Sequence, residues 1–408
     1  MTGMEARHRF VVELARQLHE SGTTAPRLER ALASVGTRLG LDVDVWSSPT
    51  AIILTLRDGG DPEGEERTRV IRLAPGDIDL EKLCRVDETA ELVLHGQIGV
   101  LEGLQALEQL CKPRPRWRQL LESLVGFPLA SLAVAGILRG SAQDLMTAGL
   151  IGLAIGCIAD WTSRRSRFSQ ALETLAGLLA AFMSAWVASV VWPINAKLVM
   201  LSALIVLVPG LSLTSAAVEI ATQHLVSGGA RLLGAFATLL KLAFGALVGN
   251  QLAALLALQP AVEFTLLPAF PGQEWLCLML AAIAFALLFR ARLRHWPITI
   301  GAAWLGYLCT RWAGGQMSAE FGVFLAAFLV CLAANAYARW WRSPGALIRV
   351  PGIILLVPGS VGFKSLSFLV ERDVFLGLDT AVGLLLLVTS LAAGLLVANT
   401  VLPPRNSL

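Results

Sequence analysis

Two Pro-Gly pairs stand in the same apolar context, LVPG at 207–210 and again at 356–359. Proline removes a backbone donor and clashes with the turn before it, while glycine accepts the unusual dihedrals that follow. A helix carrying such a pair is expected to open at Pro209 and Gly210, and at Pro358 and Gly359. The N–H groups beyond each opening form the positive end of a half-helix, which suits an anion such as a carboxylate. Ser212 and Thr214 follow the first pair, and Ser360 and Lys364 follow the second, adding hydroxyls and a cation. A single pair is as well explained by a kink in a packed helix, but two at symmetric depth favour a binding site.

Ionisable residues in apolar segments are the next candidates, because a charge at membrane depth costs roughly 3 kcal/mol on insertion scales. Glu219 follows the first break by nine residues and is the first choice for cycling a proton or holding an ammonium group. Arg231 could pair with Glu219 structurally or meet the substrate, and both readings stay open. Lys241, ten residues further on, could meet a carboxylate of the substrate or of the protein. Asn250 and Asn399 suit hydrogen bonds between helices, or a place on the pathway. Asp160, Glu173, Glu320 and Asp379 fall at segment ends, where headgroup water reaches them. Gly152 and Gly156 read as a close helix contact.

The elements that position these residues follow from composition. The 408 residues are 55% hydrophobic and only 15% charged, where soluble domains carry about 25% charged residues. Residues 1–122 hold 16 of the 33 Lys and Arg and 20 of the 30 Asp and Glu. A small cytosolic α+β domain (1–118) is therefore expected ahead of an α-helical multi-pass membrane domain. Helical spacing over 5–20 and 25–39 gives two helices, with Ser21, Thr23 and Thr24 as turn and N-cap candidates. β-Branched runs at 43–46, 50–56 and 68–74 give three strands, and 77–96 and 100–111 return to helix. The segment 112–118, KPRPRWR, reads as a stiff basic linker. Net charge is +3 with no basic run interleaved with aromatics, so no nucleic-acid partner is expected. The opening residues lack the apolar core and cleavage site of a secretory signal, which leaves the N-terminus in the cytosol. The six scattered cysteines suggest neither disulfides nor zinc.

Ten apolar segments follow, at about 124–138, 145–159, 171–192, 198–226, 230–258, 275–289, 298–310, 321–338, 347–370 and 379–401. Pro209 lies about 12 residues into the fourth, or ~18 Å deep at ~1.5 Å per residue, close to the middle of a ~30 Å core. A shift of 149 residues lays LVPG on LVPG, Gly228 on Gly377, Gly245 on Gly394 and Asn250 on Asn399, with 15 of 59 positions identical between Trp192 and Asn250. Two membrane repeats of five spans each, 119–260 and 261–408, are therefore expected. An odd number of spans inverts the second copy, giving a 5+5 inverted-repeat bundle of the kind common in secondary transporters. Arginines at 164, 165, 167, 231, 290, 292, 294, 339, 342, 349 and 405 fall in alternate loops, which places both termini in the cytoplasm of an inner-membrane protein.

No H-E-x-x-H, G-x-S-x-G or phosphate-binding loop occurs, so neither an enzyme nor a cofactor is implied. The residues resemble the threonine/serine exporter family over nearly the whole chain. The resemblance rests on residues 21–56, on LVPGLSLTSAAVEIATQHLVSGGARL (207–232) and on VPGIILLVPGSVGFKSL (350–366). It implies that Pro209, Gly210, Glu219, Gly229, Arg231, Pro358 and Gly359 belong to the family's central motifs, that a proton drives export of small hydroxylated amino acids, and that the N-terminal domain regulates or gates. Related two-chain versions look like dicarboxylate exporters such as those of succinate. The expectation is thus proton antiport of threonine or serine across a lipid bilayer, with Glu219 carrying the proton. Dicarboxylate export and a membrane ligand receptor are the alternatives, and a homo-oligomer is compatible with the sequence.

Overall fold

In the computed structural model, residues 3–59, 66–111, 114–258, 269–341, 343–356, 359–370 and 373–404 are described. The first elements are α1 (Gly3–Glu20), α2 (Ala25–Arg38), β1 (Leu41–Ser48), β2 (Ala51–Asp58), β3 (Arg67–Arg72), α3 (Leu80–Leu94) and α4 (Val100–Gln109). The strands form an antiparallel sheet in the order β1-β2-β3. Alternation along β2 buries Ile52, Leu54 and Leu56 against Phe10, Leu14 and Leu18 of α1 and Leu28, Leu32 and Val35 of α2. The outer strand β3 carries Arg67, Arg69 and Arg72, charges that discourage further edge pairing. This α+β core continues without a gap into Tyr337, Ala346 and Leu347 of the helical part.

The helical part comprises α5 (Arg116–Leu121), a π-helical turn (Glu122–Gly126), α6 (Phe127–Ile137), α7 (Ala142–Ser163), α8 (Ser166–Ser169), α9 (Leu172–Val190), α10 (Ala196–Leu204), α11 (Gly210–Ala221) and α12 (Leu225–Leu255). After a gap in the described residues come α13 (Gln273–Leu288), a short 3-10 turn (Leu293–His295), α14 (Trp296–Gln316), α15 (Ala319–Trp341), α16 (Ala346–Ile354), α17 (Gly359–Val370) and α18 (Val374–Val401). Among the described residues seven stretches are helical, long and apolar enough to cross a membrane, so the protein is a multi-pass membrane protein. Ten spans were expected, and the difference has local causes. The fourth apolar segment is divided at Pro209 into two short helices, α13 has 16 residues, about 24 Å at ~1.5 Å each, and α14 interrupts its apolar run with Thr299, Tyr307, Thr310 and Arg311.

The 149-residue spacing reappears in the element boundaries. The starts of α12 and α18, Leu225 and Val374, are that far apart. Packing repeats as well. A Cβ built on Gly245 would lie 2.2 Å from the Thr174 carbonyl oxygen, and one on Gly394 2.4 Å from that of Phe324, so α9 against α12 and α15 against α18 approach backbone to backbone. Gly152 and Gly156 likewise admit Ser131 and the Ser123 carbonyl.

Two local expectations need correction. Residues 116–118 are not linker but the first turn of α5, which continues toward α6 through the π-helical turn. Thr24 stands at the N-cap of α2, yet its side chain makes no capping hydrogen bond.

Candidate functional site

Helix α10 ends at Leu204, and α11 begins at Gly210 with Pro209 as its cap residue (φ −80°, ψ 48°). The Gly210 N–H donates to the Val208 carbonyl at 2.8 Å and the Leu213 N–H to the Pro209 carbonyl at 3.1 Å, so the N–H groups of Leu211 and Ser212 are those of the first turn with no intrahelical partner. In the second copy α16 ends at Ile354 and α17 opens at Gly359; Pro358 lies outside the described residues. The two openings touch. A Cβ on Gly359 would stand 2.6 Å from Val208 Cγ1 and 3.1 Å from Gly210 Cα, so only glycine permits the crossing. A cavity of about 140 Å³ between them is lined by Val208, Gly210, Gly359, Ser360, Phe285 and Tyr307. A second, of about 320 Å³, is lined by Pro209, Leu211, Ser212, Ser215 and Arg231, together with Asp77 and Arg290; this is the lower end of the range for small-ligand pockets.

Glu219, on the last turns of α11, is fully buried. Its carboxylate accepts Ser227 Oγ at 2.9 Å and Arg231 Nε at 3.0 Å to both oxygens, Ser227 and Arg231 being one turn apart on α12. The fourth contact comes from the α+β region, where the Ala25 backbone N–H donates to Oε1 at 3.0 Å. Glu219 thus caps α2 in place of Thr24, because a negative group at the positive end of a helix satisfies both dipole and donor. The donors match the acceptor capacity of an ionised carboxylate, and the pairing with Arg231 offsets the desolvation of burial.

A second link runs beside it. His224, the cap residue of α12, places Nε2 3.1 Å from Glu29 Oε2, while Glu29 Oε1 accepts the Ser47 N–H at 2.8 Å. A third joins α3 to α13, with the Leu80 and Glu81 N–H groups donating to the Phe289 and Arg290 carbonyls at 3.0 and 3.2 Å. Arg290 Nε holds Glu122 at 3.0 Å and Nη1 lies 3.4 Å from Asp79. Burial opposes the Arg290 charge, but Glu122, Asp79 and Asp77 outweigh it, and its pKa is raised. Glu29, His224, Asp77 and Arg290 carry no sequence signature for this role; Arg290 was visible only as a loop charge.

Of the other expected site residues, Thr214 is buried and its hydroxyl donates to the Gly210 carbonyl at 3.3 Å, within its own helix. Lys241 is not brought to the breaks: its side chain is 43% exposed, 3.6 Å from Glu173 Oε2 and 3.4 Å from the Gln170 carbonyl. Lys364 is exposed on α17. Asn399 accepts Asn335 Nδ2 at 2.9 Å, tying α18 to α15, whereas Asn250 is exposed.

Residues 9–253 match a family model described as "Putative threonine/serine exporter", and residues 274–401 match one described as "Threonine/Serine exporter, ThrE". The chain belongs to the threonine/serine exporter family. Similar curated proteins include the "Pheromone-regulated membrane protein 10" of Candida albicans (strain WO-1), 26% identical over 371 residues that cover 88% of this chain and 33% of the relative. The proteins of that name from Saccharomyces cerevisiae (strain YJM789) and Eremothecium gossypii are each 25% identical, covering 88% of this chain and 47% and 49% of their own length. The chain therefore spans a third to a half of the length of these relatives. No solved structure matches it.

Proposed function

We propose that this exporter-family chain is a secondary active exporter of small polar amino acids, threonine or serine, driven by proton antiport. The observation that carries the reading is the contact of two broken helices at Gly210 and Gly359, with two small cavities lined by residues of the breaks. The half-helix N–H groups after Pro209, helped by Ser212, hold the substrate carboxylate, and Ser360 supplies a hydroxyl directly after Gly359 in the second copy, one position earlier than Ser212 in the repeat. The coincidence of element boundaries at a spacing of 149 residues supports a 5+5 inverted repeat, in which one half rocks against the other. The α+β region (1–118) then lies in the cytosol, with both termini, and the protein sits in the cytoplasmic membrane.

Glu219 is the proton-coupling residue of this reading. Protonation removes the charge that holds Arg231 and the start of α2, so one proton weakens one of the polar links that join the α+β region to α11 and α12, another being His224 with Glu29. Efflux from proteoliposomes containing the full chain tests the proposal: threonine or serine flux should collapse an imposed pH gradient, and amino-acid flux indifferent to that gradient would remove the antiport.

One observation favours a second reading. Arg231 and Arg290 line the same cavity, and two cations suit a dicarboxylate. Counterflow with succinate against threonine separates the two.

A further inference from the structure

The cavity beside the first break has one wall that is not part of the helical bundle. Asp77 lies in the connection from β3 to α3, and lines this cavity together with Arg231, Arg290, Ser212 and Ser215. Asp77 and Arg290 also line the adjoining charged cavity of about 1070 Å³, so they stand where the two spaces meet. Their placement is built from the backbone outward. Gly22 (φ +75°) lies so close that a Cβ there would be 3.1 Å from the Asp77 carbonyl carbon, and a Cβ on Gly76 would be 2.0 Å from the His19 carbonyl oxygen. The Asp77 loop is therefore packed against the end of α1 and the turn that follows it.

Arg290 is fixed as firmly. It occupies the left-handed position after α13 (φ 61°), where Arg290 N–H reaches the Leu287 carbonyl and Ala291 N–H the Ala286 carbonyl. Glycine fills such a position at least cost, yet arginine stands here, with its carbonyl taken by the Glu81 N–H. The lining of the cavity thus includes an exposed carboxylate together with guanidinium groups and hydroxyls.

We propose that Asp77 is a specificity-determining residue that binds the α-ammonium group of a zwitterionic substrate, while Arg290 and the opening of α11 take its carboxylate. The proposal rests on the exporter reading and narrows it. A dicarboxylate would place a second negative charge against Asp77 and be disfavoured, and Ser212 and Ser215 are available to a substrate hydroxyl.

The test uses purified full-length protein, with threonine and succinate as probes, in binding assays in detergent and counterflow in proteoliposomes. Asp77→Asn should weaken threonine binding and raise its half-saturation about tenfold to a hundredfold, the size of a lost charge-assisted hydrogen bond, and narrow the preference over succinate. Asp77→Glu should recover part of the threonine affinity. Unchanged threonine affinity in Asp77→Asn, or equal loss for threonine and succinate, overturns the proposal. Wild-type protein that binds threonine without transporting it defeats the exporter reading and leaves the Asp77 comparison decisive; wild-type protein that binds no zwitterion defeats both.

Discussion

The Glu219 carboxylate accepts the backbone N–H of Ala25 at 3.0 Å across 194 residues of chain. One side chain of the helical bundle thereby caps the second helix of the α+β region while also neutralising Arg231. A single acidic residue thus joins α11 and α12 to the α+β region.

Replacing Glu219 separates structure from coupling. Glu219→Ala leaves Arg231, with 16% of its side chain exposed, without its partner, and should cost about 3–5 kcal/mol, read as a lower melting temperature of the purified protein. Glu219→Gln keeps the shape and one acceptor, so it should fold but lose the response of transport to a pH gradient. Proton-driven flux persisting in Glu219→Gln would take the residue out of the mechanism.

The crossing of the two breaks predicts a steric double mutant. In Gly359→Ala the new methyl meets Val208 Cγ1 at 2.6 Å, which should destabilise by about 1–3 kcal/mol and slow transport. Val208→Ala removes the nearest atom, so the pair should recover part of the loss. Additive defects in a double-mutant cycle would mean that the two openings do not touch.

Glycines on the repeat helices divide into two classes. Gly245→Leu and Gly394→Leu insert side chains where backbones of α9 and α15 already sit, and both should sharply lower the yield of folded protein. At Gly234 and Gly383 nothing lies within 4 Å of a built Cβ, so alanine there should change stability by less than about 0.5 kcal/mol. Equal sensitivity at all four positions would contradict the packing described.

Acid should loosen the α+β region first. Burial lowers the pKa of His19, whose Nε2 lies 3.1 Å from the Pro49 carbonyl, and desolvation with Arg67 nearby lowers that of His8. The unfolded chain then binds protons that the folded one refuses, so stability is full above pH about 6.5 and falls as pH drops below it. Hydrogen exchange of α1 at pH 7.5 and pH 5.5 measures this, and protection in α1 that is unchanged at the lower pH would refute it.

What the sequence determined by itself was local. Pro209 and Gly210 favour an opening because a missing donor and a free φ act within a single turn, and α10 and α11 part there, although the Pro351-Gly352 pair stays inside α16. Periodicity was enough for α1, α2 and the three strands, and the 149-residue spacing was visible as repeated glycines before it was visible as matching helix starts. The motifs that placed the chain among threonine/serine exporters are of the same kind. Tertiary structure decided the partners. Thr24 has the chemistry of a cap, but an anionic carboxylate from α11 occupies the end of α2 and serves it better than a hydroxyl. The donor is the N–H of Ala25, which has no residue type to announce it. Lys241 looked available for a substrate until folding set it beside Glu173, and Asp77, expected at the start of a helix over 77–96, lies instead in the connection before α3 and lines the cavity at the first break. Charges act through space over several ångströms, and only the folded chain fixes which of them share that space.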